Sequence, residues 1–451
     1  MKNTEQFKGK KILVLGLAKS GYAAAKLLHS LGADVTVNDA SPEEGNEEAA
    51  SLRLENIRVI CGGHPAGILE EGFSLIIKNP GIRYTNPVIV EALNKEIPVW
   101  TEIELAYKIS EAPIIGITGS NGKTTTTTIL FHMLSMGGKN PLIAGNIGTV
   151  SCAVAETATA DEIIVLEASS FQLMGVEDFR PNIAIFTNLY DAHLDYHGTS
   201  EAYAEAKTAI TSNQKEDDFL IYNADQIEIS EIASKSKAIL IPFSISGMKE
   251  IGISVDETEI YWNGVPFISR SVIKLPGQHN LENILSATAA AILSGCDQTT
   301  IENVLSSFTG VRHRMQFVKE QRGRKYYNDS KATNTRATKS ALASFEVPTI
   351  LLAGGLDRGH SFEELRPFMV NVKAVVTLGE TKERFSEFAA SCGVEQIVDA
   401  TTMDNAVNLA HSLSVEGDII LLSPASASWD QYASFELRGD EFIKAVLSLK
   451  S

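Results

Sequence analysis

A stretch of small polar residues from Thr118 to Thr125 has the composition of a loop that binds nucleotide phosphates. A strand-like run (Pro113–Ile117) precedes it and a helix-like segment follows, so backbone N–H groups and the helix dipole would converge on one point. Lys123 would reach the terminal phosphates and the Thr124 hydroxyl would coordinate Mg²⁺. The consensus G-x-x-x-x-G-K-[ST] is incomplete, because Ile117 stands where its first glycine belongs. The residues predicted to hold the phosphates of ATP are Gly119, Ser120, Asn121, Gly122, Lys123, Thr124 and Thr125.

Two further charged residues lie in apolar surroundings. Glu167 ends the apolar run Ile163–Leu166, where burying a carboxylate without a partner is costly. Lys207 falls within the apolar stripe of a helix predicted from about Ser200 to Ile210. Such surroundings lower the pKa of a lysine, and its neutral amine can react with CO₂. The alternatives are a solvated glutamate at a strand end and a lysine at a helix edge.

Three residues near the middle of the chain alternate in a way that suggests a metal site. His193, Asp195 and His197 would face one side of a strand, as the ligands of a transition metal do. No further ligand is evident nearby, so zinc stays an alternative and we interpret His197 as a surface residue.

The amino-terminal part of the chain carries a second glycine-rich turn, Gly16-Leu-Ala-Lys-Ser-Gly21, with Asp39 after the next strand. This resembles a dinucleotide fingerprint, but Ala18 replaces the middle glycine that lets a pyrophosphate approach the backbone. The pattern therefore favours a different nucleotide diphosphate over NAD.

The elements that must position these residues alternate between strand and helix, which predicts an α/β fold with largely parallel sheets. We predict three successive α/β domains, residues 1–104, 105–310 and 311–451. The clearest predicted strands are Lys11–Gly16, Asp34–Asp39, Ser74–Asn79, Pro113–Thr118, Glu162–Leu166, Ile183–Phe186, Phe219–Tyr222, Pro348–Gly355, Ala374–Gly379 and Asp418–Ser423.

The composition bounds the class of protein. The 451 residues carry a formal net charge of −17, which argues against nucleic acid or an anionic membrane as a partner. The sequence shows no signal peptide and no run of about 20 apolar residues. Its four cysteines are scattered, which is typical of reduced thiols. We therefore expect a cytoplasmic protein that acts on small molecules.

Other short motifs, taken in order with the loop, resemble those of the Mur ligases of peptidoglycan synthesis, and in particular their D-glutamate-adding members. The matching segments are Asn79–Ile82, Gly145–Gly148, Glu167–Leu173, Thr187-Asn188, His193–Asp195, Leu275–Asn280 with Asn283, His313-Arg314, Asn328–Asn334, Ser423–Ser428 and Phe435–Gly439. The Asp-Asn-Pro-Arg motif of the diaminopimelate- or lysine-adding relatives is absent from the sequence.

The resemblance implies a Rossmann-like amino-terminal domain, a central P-loop ATPase-like domain and a Rossmann-like carboxyl-terminal domain. It implies ATP-dependent ligation of UDP-N-acetylmuramoyl-L-alanine to D-glutamate through an acyl phosphate, by a monomer that serves cell-wall synthesis, cell shape and division. Thr124 and Glu167 would hold one Mg²⁺. His193 and a carbamate formed from CO₂ on Lys207 would serve a second, with His193 also beside the substrates.

The same resemblance assigns binding residues to each domain. Adenine would lie against Asn280 and Asn283, with Arg314 and Asp329 approaching it and Lys331 near the phosphates. The UDP end would meet Lys19, Ser20, Asp39 and the backbone of Asn79, Pro80 and Gly81, while Asn146 contacts the sugar–alanine part. D-Glutamate would meet Thr333, Arg358, Ser428 and the backbone of Phe435; Arg358 stands where some relatives have lysine.

Three other functions remain possible on the sequence alone. A folylpolyglutamate-type ligase shares the phosphate loop and the three-block order. A nicotinamide-dependent oxidoreductase would use the turn at Gly16–Gly21 and would leave Lys123 dispensable. A nucleotide-operated switch would hydrolyse ATP slowly without an amino acid.

Overall fold

Buried aliphatic runs in the amino-terminal part of the chain form a five-stranded parallel sheet in the order β3-β2-β1-β4-β5. The computed structural model describes residues 1–449, except for the side chain of Asp195. The strands are β1 (Lys11–Leu15), β2 (Asp34–Asn38), β3 (Arg58–Ile60), β4 (Leu75–Lys78) and β5 (Val99–Trp100). The helices are α1 (Lys19–Ser30), α2 (Glu47–Leu54), α3 (Pro87–Asn94) and α4 (Glu102–Ile109). Because the strands are parallel, Gly16, Asp39 and Asn79 follow strand ends at the same edge of the sheet.

A nine-stranded sheet forms the middle of the chain, in the order β14-β13-β12-β11-β10-β9-β6-β8-β7. Its strands are β6 (Ile114–Thr118), β7 (Pro141–Gly145), β8 (Ile163–Glu167), β9 (Ile183–Phe186), β10 (Phe219–Asn223), β11 (Ile239–Ser244), β12 (Ile253–Val255), β13 (Glu259–Trp262) and β14 (Val265–Ser269). Its helices are α5 (Lys123–Met136), α6 (Ser151–Thr157), α7 (Ser170–Leu173), α8 (Leu194–His197), α9 (Ser200–Thr208), α10 (Ile227–Ser234), α11 (Gln278–Leu293) and α12 (Gln298–Ser307). Since β6 pairs in parallel with both β8 and β9, the segments after these three strands meet at one edge.

A six-stranded sheet, in the order β15-β16-β20-β17-β18-β19, forms the carboxyl-terminal part. Its strands are β15 (Gln316–Gln321), β16 (Arg324–Asn328), β17 (Thr349–Gly354), β18 (Val372–Leu378), β19 (Gln396–Asp399) and β20 (Ile419–Leu422). Its helices are α13 (Thr335–Leu342), α14 (Lys382–Ser391), α15 (Met403–Leu413) and α16 (Phe435–Ser448). Only β15 runs antiparallel to its neighbour among these strands, and buried aliphatic clusters cover both faces of the sheet.

The predicted α/β fold with largely parallel sheets is confirmed, and every strand predicted above is present to within two residues at each end. The sequence did not predict β12, β13 and β14, which form an antiparallel meander at one edge of the middle sheet. All three strands are short, and β13 and β14 are partly exposed, so they lack the continuous apolar runs of the central strands.

Two compact units emerge from the packing of the described residues. One comprises Met1–Lys274 and Gln278–Ser307, and the other comprises Leu275–Gly277 and the chain from Phe308 on. The predicted limits of three domains, 1–104, 105–310 and 311–451, stay predictions. Within residues 1–449, no helix combines the length and apolar character needed to cross a bilayer.

Helix α4 joins the first two sheets through two buried carboxylates. Glu104 accepts hydrogen bonds from the backbone N–H groups of Glu177, Asp178 and Phe179 at 2.9–3.0 Å. Glu102 accepts from the Ser151 hydroxyl, the Cys152 N–H and the Gln172 amide. The apolar residues of α4 belong to one core cluster that includes residues of both sheets. The amino-terminal and middle sheets are therefore packed as one body.

Replacing Glu104 with Gln should destabilise this unit, because an amide cannot accept three N–H donors and directs its own N–H groups at some of them. We expect a loss of at least about 2 kcal/mol in the free energy of unfolding. Urea denaturation measures it. The control is Glu55→Gln, which removes a surface ion pair with Lys26 and should cost less than about 0.5 kcal/mol. Equal stabilities of the two variants would contradict the role of Glu104.

Candidate active site

The phosphate-binding loop lies between β6 and α5, and two of its glycines are required by their neighbours. Gly119 has a φ of +143° and Gly122 a φ of +83°. A Cβ at Gly119 would lie 2.0 Å from Thr187 Oγ1, and one at Gly122 would lie 2.0 Å from Asn283 Oδ1. Neither position can hold a side chain without moving the wall of the loop. Ile117, the departure from the consensus, is a fully buried residue of β6.

Two of the loop amides are engaged within the protein. The N–H of Ser120 donates to the Asn188 carbonyl, and that of Asn121 donates to Asn188 Oδ1, both at 2.8 Å. Thr187 Oγ1 donates back to the Asn121 carbonyl at 2.7 Å. The loop is thus fastened to the segment after β9, and an anion would meet the amino end of α5, from Gly122 onward.

Two lysines converge on one carbonyl oxygen of the loop. Lys207 Nζ donates to the Gly119 carbonyl at 2.7 Å, and Lys123 Nζ donates to the same oxygen at 2.8 Å. Lys207 is 1% exposed, and its ammonium lies 4.7 Å from the centroid of the Tyr203 ring. Burial and then the charge of Lys123 hold the pKa of Lys207 well below its ordinary value, with Glu167 opposing them. The prediction that Lys207 is buried in an apolar stripe is confirmed.

Glu167 presents an oxygen that suits a cation. Its Oε1 accepts a hydrogen bond from Asn146 Nδ2 at 2.8 Å, while its buried Oε2 has no hydrogen-bond partner among the described residues. Thr124 is buried and is the second residue of α5, directly after Lys123. Carboxylate and hydroxyl oxygens are ligands that Mg²⁺ accepts, so these residues fit that ion. The predicted contact of Asn146 with the sugar–alanine part of a substrate stays a prediction.

In the described part of the chain, no three His, Cys, Asp or Glu side chains come together as a ready metal site. Any Mg²⁺ here would complete its shell with hydroxyls, water and phosphate oxygens, as that ion commonly does.

The segment around His193 differs from its prediction. His193 has a φ of +56° and is the N-cap residue of helix α8. The zinc hypothesis required a strand here, and the structure has a helix instead. The side chain of Asp195 lies outside the described residues. The exposed His193 ring meets Phe171 edge-on at 5.0 Å between centroids. His197, which we predicted to be a surface residue, is partly exposed; its ring stacks on Phe171 and its Nε2 lies 3.0 Å from Ser170 Oγ.

The sequence assigns two asparagines of α11 to nucleotide binding, and Asn283 lies against the loop. Both Asn280 and Asn283 are buried. Asn283 packs against Gly122, and its Oδ1 lies 3.4 Å from the Thr126 hydroxyl that donates to it. Their contact with adenine stays a prediction.

At the edge of the amino-terminal sheet, the turn after β1 is shaped by Asp39. Its carboxylate accepts from the N–H of Leu17 at 2.6 Å and of Ser41 at 2.7 Å. Burial raises the pKa of Asp39, but these backbone hydrogen bonds outweigh it and the net shift is downward. Lys19 begins α1 and is exposed, and Ser20 Oγ accepts from Asn79 Nδ2 at 3.0 Å. Lys19, Ser20, Asp39 and Asn79 therefore share one edge.

In the second unit, the segment after β20 contains Ser428, whose buried hydroxyl has no hydrogen-bond partner among the described residues. Arg358 lies over the exposed Trp429 ring at 4.8 Å. Phe435 is the first residue of α16, where a backbone N–H is free of intrahelical bonds, and Thr333 is half-buried.

Asp329 is enclosed within its own unit. Its carboxylate accepts from Ser423 Oγ at 2.9 Å and from the Met315 N–H at 3.1 Å. Burial raises the pKa of Asp329 to about 7, while the Ser423 and Met315 hydrogen bonds and the charge of Arg314 oppose it. The Lys331 ammonium lies 5.8 Å from the Phe435 ring. The predicted nucleotide contacts of Arg314, Asp329 and Lys331 stay predictions.

Sequence reasoning missed Arg438, although it lies inside the matched segment Phe435–Gly439. This buried guanidinium donates to Ser330 Oγ at 3.0 Å, to the Ser330 carbonyl at 2.9 Å and to the Ser426 carbonyl at 3.1 Å. Burial lowers its pKa to about 10, so it stays charged at neutral pH. Arg438 thus joins the segment of Lys331 and Thr333 to the segment of Ser428.

Three models of known families match the chain. The family described as "Mur ligase MurD-like, N-terminal domain" matches residues 10–101, "Mur ligase middle domain" matches 117–291, and "Mur ligase, glutamate ligase domain" matches 313–426. The chain belongs to the Mur ligase family.

Two relatives match the chain over its full length and carry the same name. The UDP-N-acetylmuramoylalanine–D-glutamate ligase of Geobacillus sp. is 54% identical over 451 residues, which is 100% of both chains. The enzyme of the same name from Halalkalibacterium halodurans is 52% identical over 450 residues, also 100% of both.

Solved structures match the fold of nearly the whole chain. The UDP-N-acetylmuramate–alanine ligase of Thermotoga maritima matches with a TM-score of 0.59 at 20% identity, covering 98% of this chain and 100% of that one. MurF ligase of Thermotoga maritima, solved in complex with ADP, matches with a TM-score of 0.56 at 18% identity, covering 99% and 97%.

Replacing Gly122 with Ala should weaken nucleotide binding about 100-fold, because the new Cβ displaces Asn283 and the loop by more than an ångström. The control is Gly138→Ala, just beyond the other end of α5, where φ is +69° but no heavy atom lies within 4 Å of a Cβ. It should cost about 1–2 kcal/mol of stability from φ alone and leave affinity unchanged. Calorimetric titration with ADP measures both, and equal affinities would contradict the steric argument.

Proposed function

We propose that this protein joins UDP-N-acetylmuramoyl-L-alanine to D-glutamate with ATP, giving UDP-N-acetylmuramoyl-L-alanyl-D-glutamate, ADP and phosphate. The reaction serves peptidoglycan precursor synthesis in the cytoplasm, and we propose a monomer. The observation that carries the proposal is the cluster of Lys123, Lys207 and Glu167 at the ends of β6 and β8, in a chain whose full-length relatives are named as D-glutamate ligases.

The reaction has two steps. The alanine carboxylate oxygen attacks the γ-phosphorus of ATP, the bond to ADP breaks, and an acyl phosphate forms. The amine nitrogen of D-glutamate, after losing a proton, then attacks the acyl carbon and expels phosphate. Both steps develop negative charge on phosphate oxygens, so positive groups fixed around them supply most of the stabilisation.

The residues of the phosphate loop hold ATP in this proposal. Lys123 gives up the carbonyls of Gly119 and Ser120, to which it donates in the structure, for oxygens of the β- and γ-phosphates. The amino end of α5 adds the positive end of a helix dipole. Asn280 and Asn283 of α11, with Arg314, Asp329 and Lys331, contact the nucleotide.

Thr124 and Glu167 hold one Mg²⁺, and His193 with a carbamylated Lys207 holds a second. Bound Mg²⁺ neutralises charge on the phosphate oxygens and polarises the γ-phosphoryl group. The buried Oε2 of Glu167, which has no hydrogen-bond partner among residues 1–449, supports the first site.

The carbamate forms when the neutral Lys207 amine attacks CO₂ and loses a proton. The depressed pKa of Lys207 supports this step, because only the neutral amine is nucleophilic. The product is an anion, which removes the repulsion between Lys207 and Lys123.

UDP-N-acetylmuramoyl-L-alanine binds at the strand ends of the amino-terminal sheet, and D-glutamate binds at those of the carboxyl-terminal sheet. Lys19, Ser20 and Asp39 receive the UDP end. Ser428, Thr333, Arg358 and the Phe435 N–H receive D-glutamate, and the buried hydroxyl of Ser428, without a partner in the described chain, supports that assignment.

An omission assay tests the proposed function. Phosphate release from ATP should require both UDP-N-acetylmuramoyl-L-alanine and D-glutamate, and removing either should lower the rate to background. Folate with L-glutamate in their place should give no release, which separates the folylpolyglutamate-type alternative. Release that needs no amino acid would contradict the ligase and favour a nucleotide switch.

Two separate alanine variants, at Lys207 and at Lys123, test whether Lys207 is carbamylated. Lys207→Ala should lose at least about 100-fold in turnover, and acetate at tens of millimolar should restore part of it by supplying the missing carboxylate. Lys123→Ala is the matched control, because it lacks a cation that acetate cannot replace.

Phosphate release measures the recovery, and a carbamate carbon signal in NMR after labelling with ¹³CO₂ gives a second readout. A carbamate on Lys207 would be contradicted if acetate restored no activity to Lys207→Ala and the active wild-type enzyme gave no carbamate signal.

A further inference from the structure

The segment Asn79–Ile82 uses most of its backbone polar groups within the protein. The Gly81 N–H donates to Asn79 Oδ1 at 3.1 Å and the Ile82 N–H donates to the Asn79 carbonyl at 3.0 Å, while Pro80 has no N–H. The carbonyls of Pro80 and Ile82 are also engaged. The conformation of this segment is therefore held by the protein itself, and its predicted backbone contact with the UDP end stays a prediction.

Two side chains contact the same pair of carbonyls. Lys78 Nζ donates to the carbonyls of Pro80 at 3.2 Å and of Ile82 at 3.0 Å. Tyr196 Oη contacts the same two oxygens at 3.2 and 2.8 Å, so its single hydrogen is shared between them. Each oxygen therefore has both lone pairs occupied. We call this arrangement the Lys78–Tyr196 clamp.

The lysine of the clamp is built into the protein. Lys78 is 1% exposed, and the face of the Tyr84 ring lies 4.9 Å from its ammonium. Burial lowers the pKa of Lys78 to about 8, so it remains mostly protonated at neutral pH and donates. A buried cation is costly unless its hydrogen bonds are satisfied, and the two carbonyls and the ring satisfy them here.

The clamp connects two parts of the proposed active site. On one side, Asn79 Nδ2 donates to Ser20 Oγ at the start of α1, where the UDP end is placed. On the other side, Tyr196 lies three residues after His193, and Phe171 packs edge-on against both rings at 4.6 and 5.0 Å. Both sides belong to the same compact unit, so the clamp fixes the distance between them.

We propose that Lys78 and Tyr196 are positioning residues of the ligation reaction, which hold the start of α1, where the UDP end is placed, at a fixed distance from the His193 segment. This inference rests on the proposed function. UDP-N-acetylmuramoyl-L-alanine is anchored at its nucleotide end and reacts at its carboxylate end, so a displacement of about 1 Å between the two can lower turnover about 100-fold.

The test compares Tyr196→Phe and Lys78→Met with the matched control Tyr22→Phe. The control also removes a half-buried tyrosine hydroxyl, one that lies 3.0 Å from Ser51 Oγ in the same unit. Both clamp variants should lose about 10- to 100-fold in kcat, with the KM for ATP and the Kd for free UDP within twofold of wild type. Tyr22→Phe should keep wild-type kcat.

Thermal unfolding separates positioning from folding. Tyr196→Phe keeps the ring that packs on Phe171, so it should melt within a few degrees of Tyr22→Phe and stays informative even if Lys78→Met does not fold. A kcat equal to that of the control, or a loss matched by an equal loss of UDP affinity or of folded protein, would overturn the positioning role. Wild-type protein that forms no ligated product would instead refute the proposed function.

Discussion

The carbonyl oxygen of Gly119 accepts hydrogen bonds from two ammonium groups, and the chemistry of the phosphate loop depends on this shared contact. Burial first and then the charge of Lys123 lower the pKa of Lys207, because two cations that share one oxygen repel each other. The repulsion disappears when either lysine meets an anion, whether a phosphate at Lys123 or a carbamate on Lys207. Gly119 makes the contact possible, because a residue with a positive φ and no side chain can place its carbonyl between the two lysine side chains.

In the second unit, buried polar groups with hydrogen-bond partners stabilise the fold, whereas a buried polar group without one marks the candidate binding site. Arg438 and Asp329 are buried and fully engaged with neighbouring serines and backbone, so they hold segments together. The Ser428 hydroxyl is buried without a partner among the described residues, as is Oε2 of Glu167 in the first unit. A buried polar atom left unpaired has a free-energy cost that a ligand can remove. These two atoms therefore mark where the protein is incomplete by itself.

The sequence predicted what depends on local pattern. Continuous aliphatic runs identified the central strands, and the helical stripe correctly indicated the burial of Lys207. Local pattern failed at His193, because alternation over five residues fits a strand as well as a short helix. It also could not assign Lys78, Asn146 or Arg438, whose roles come from folded contacts. Arg438 meets Ser330 across 108 positions, and Tyr196 meets Ile82 across 114.

The three N–H groups that Glu104 accepts also affect how the chain is made. Strand β5 ends at Trp100, so the first sheet is complete in sequence before α4 begins. The amides that satisfy Glu104 lie 73 to 75 residues further on. At a ribosome that adds about 5–20 residues per second, those amides follow about 4–15 seconds later. During that interval none of these three donors exists, so α4 acquires its final packing only after residues 177–179 have been made.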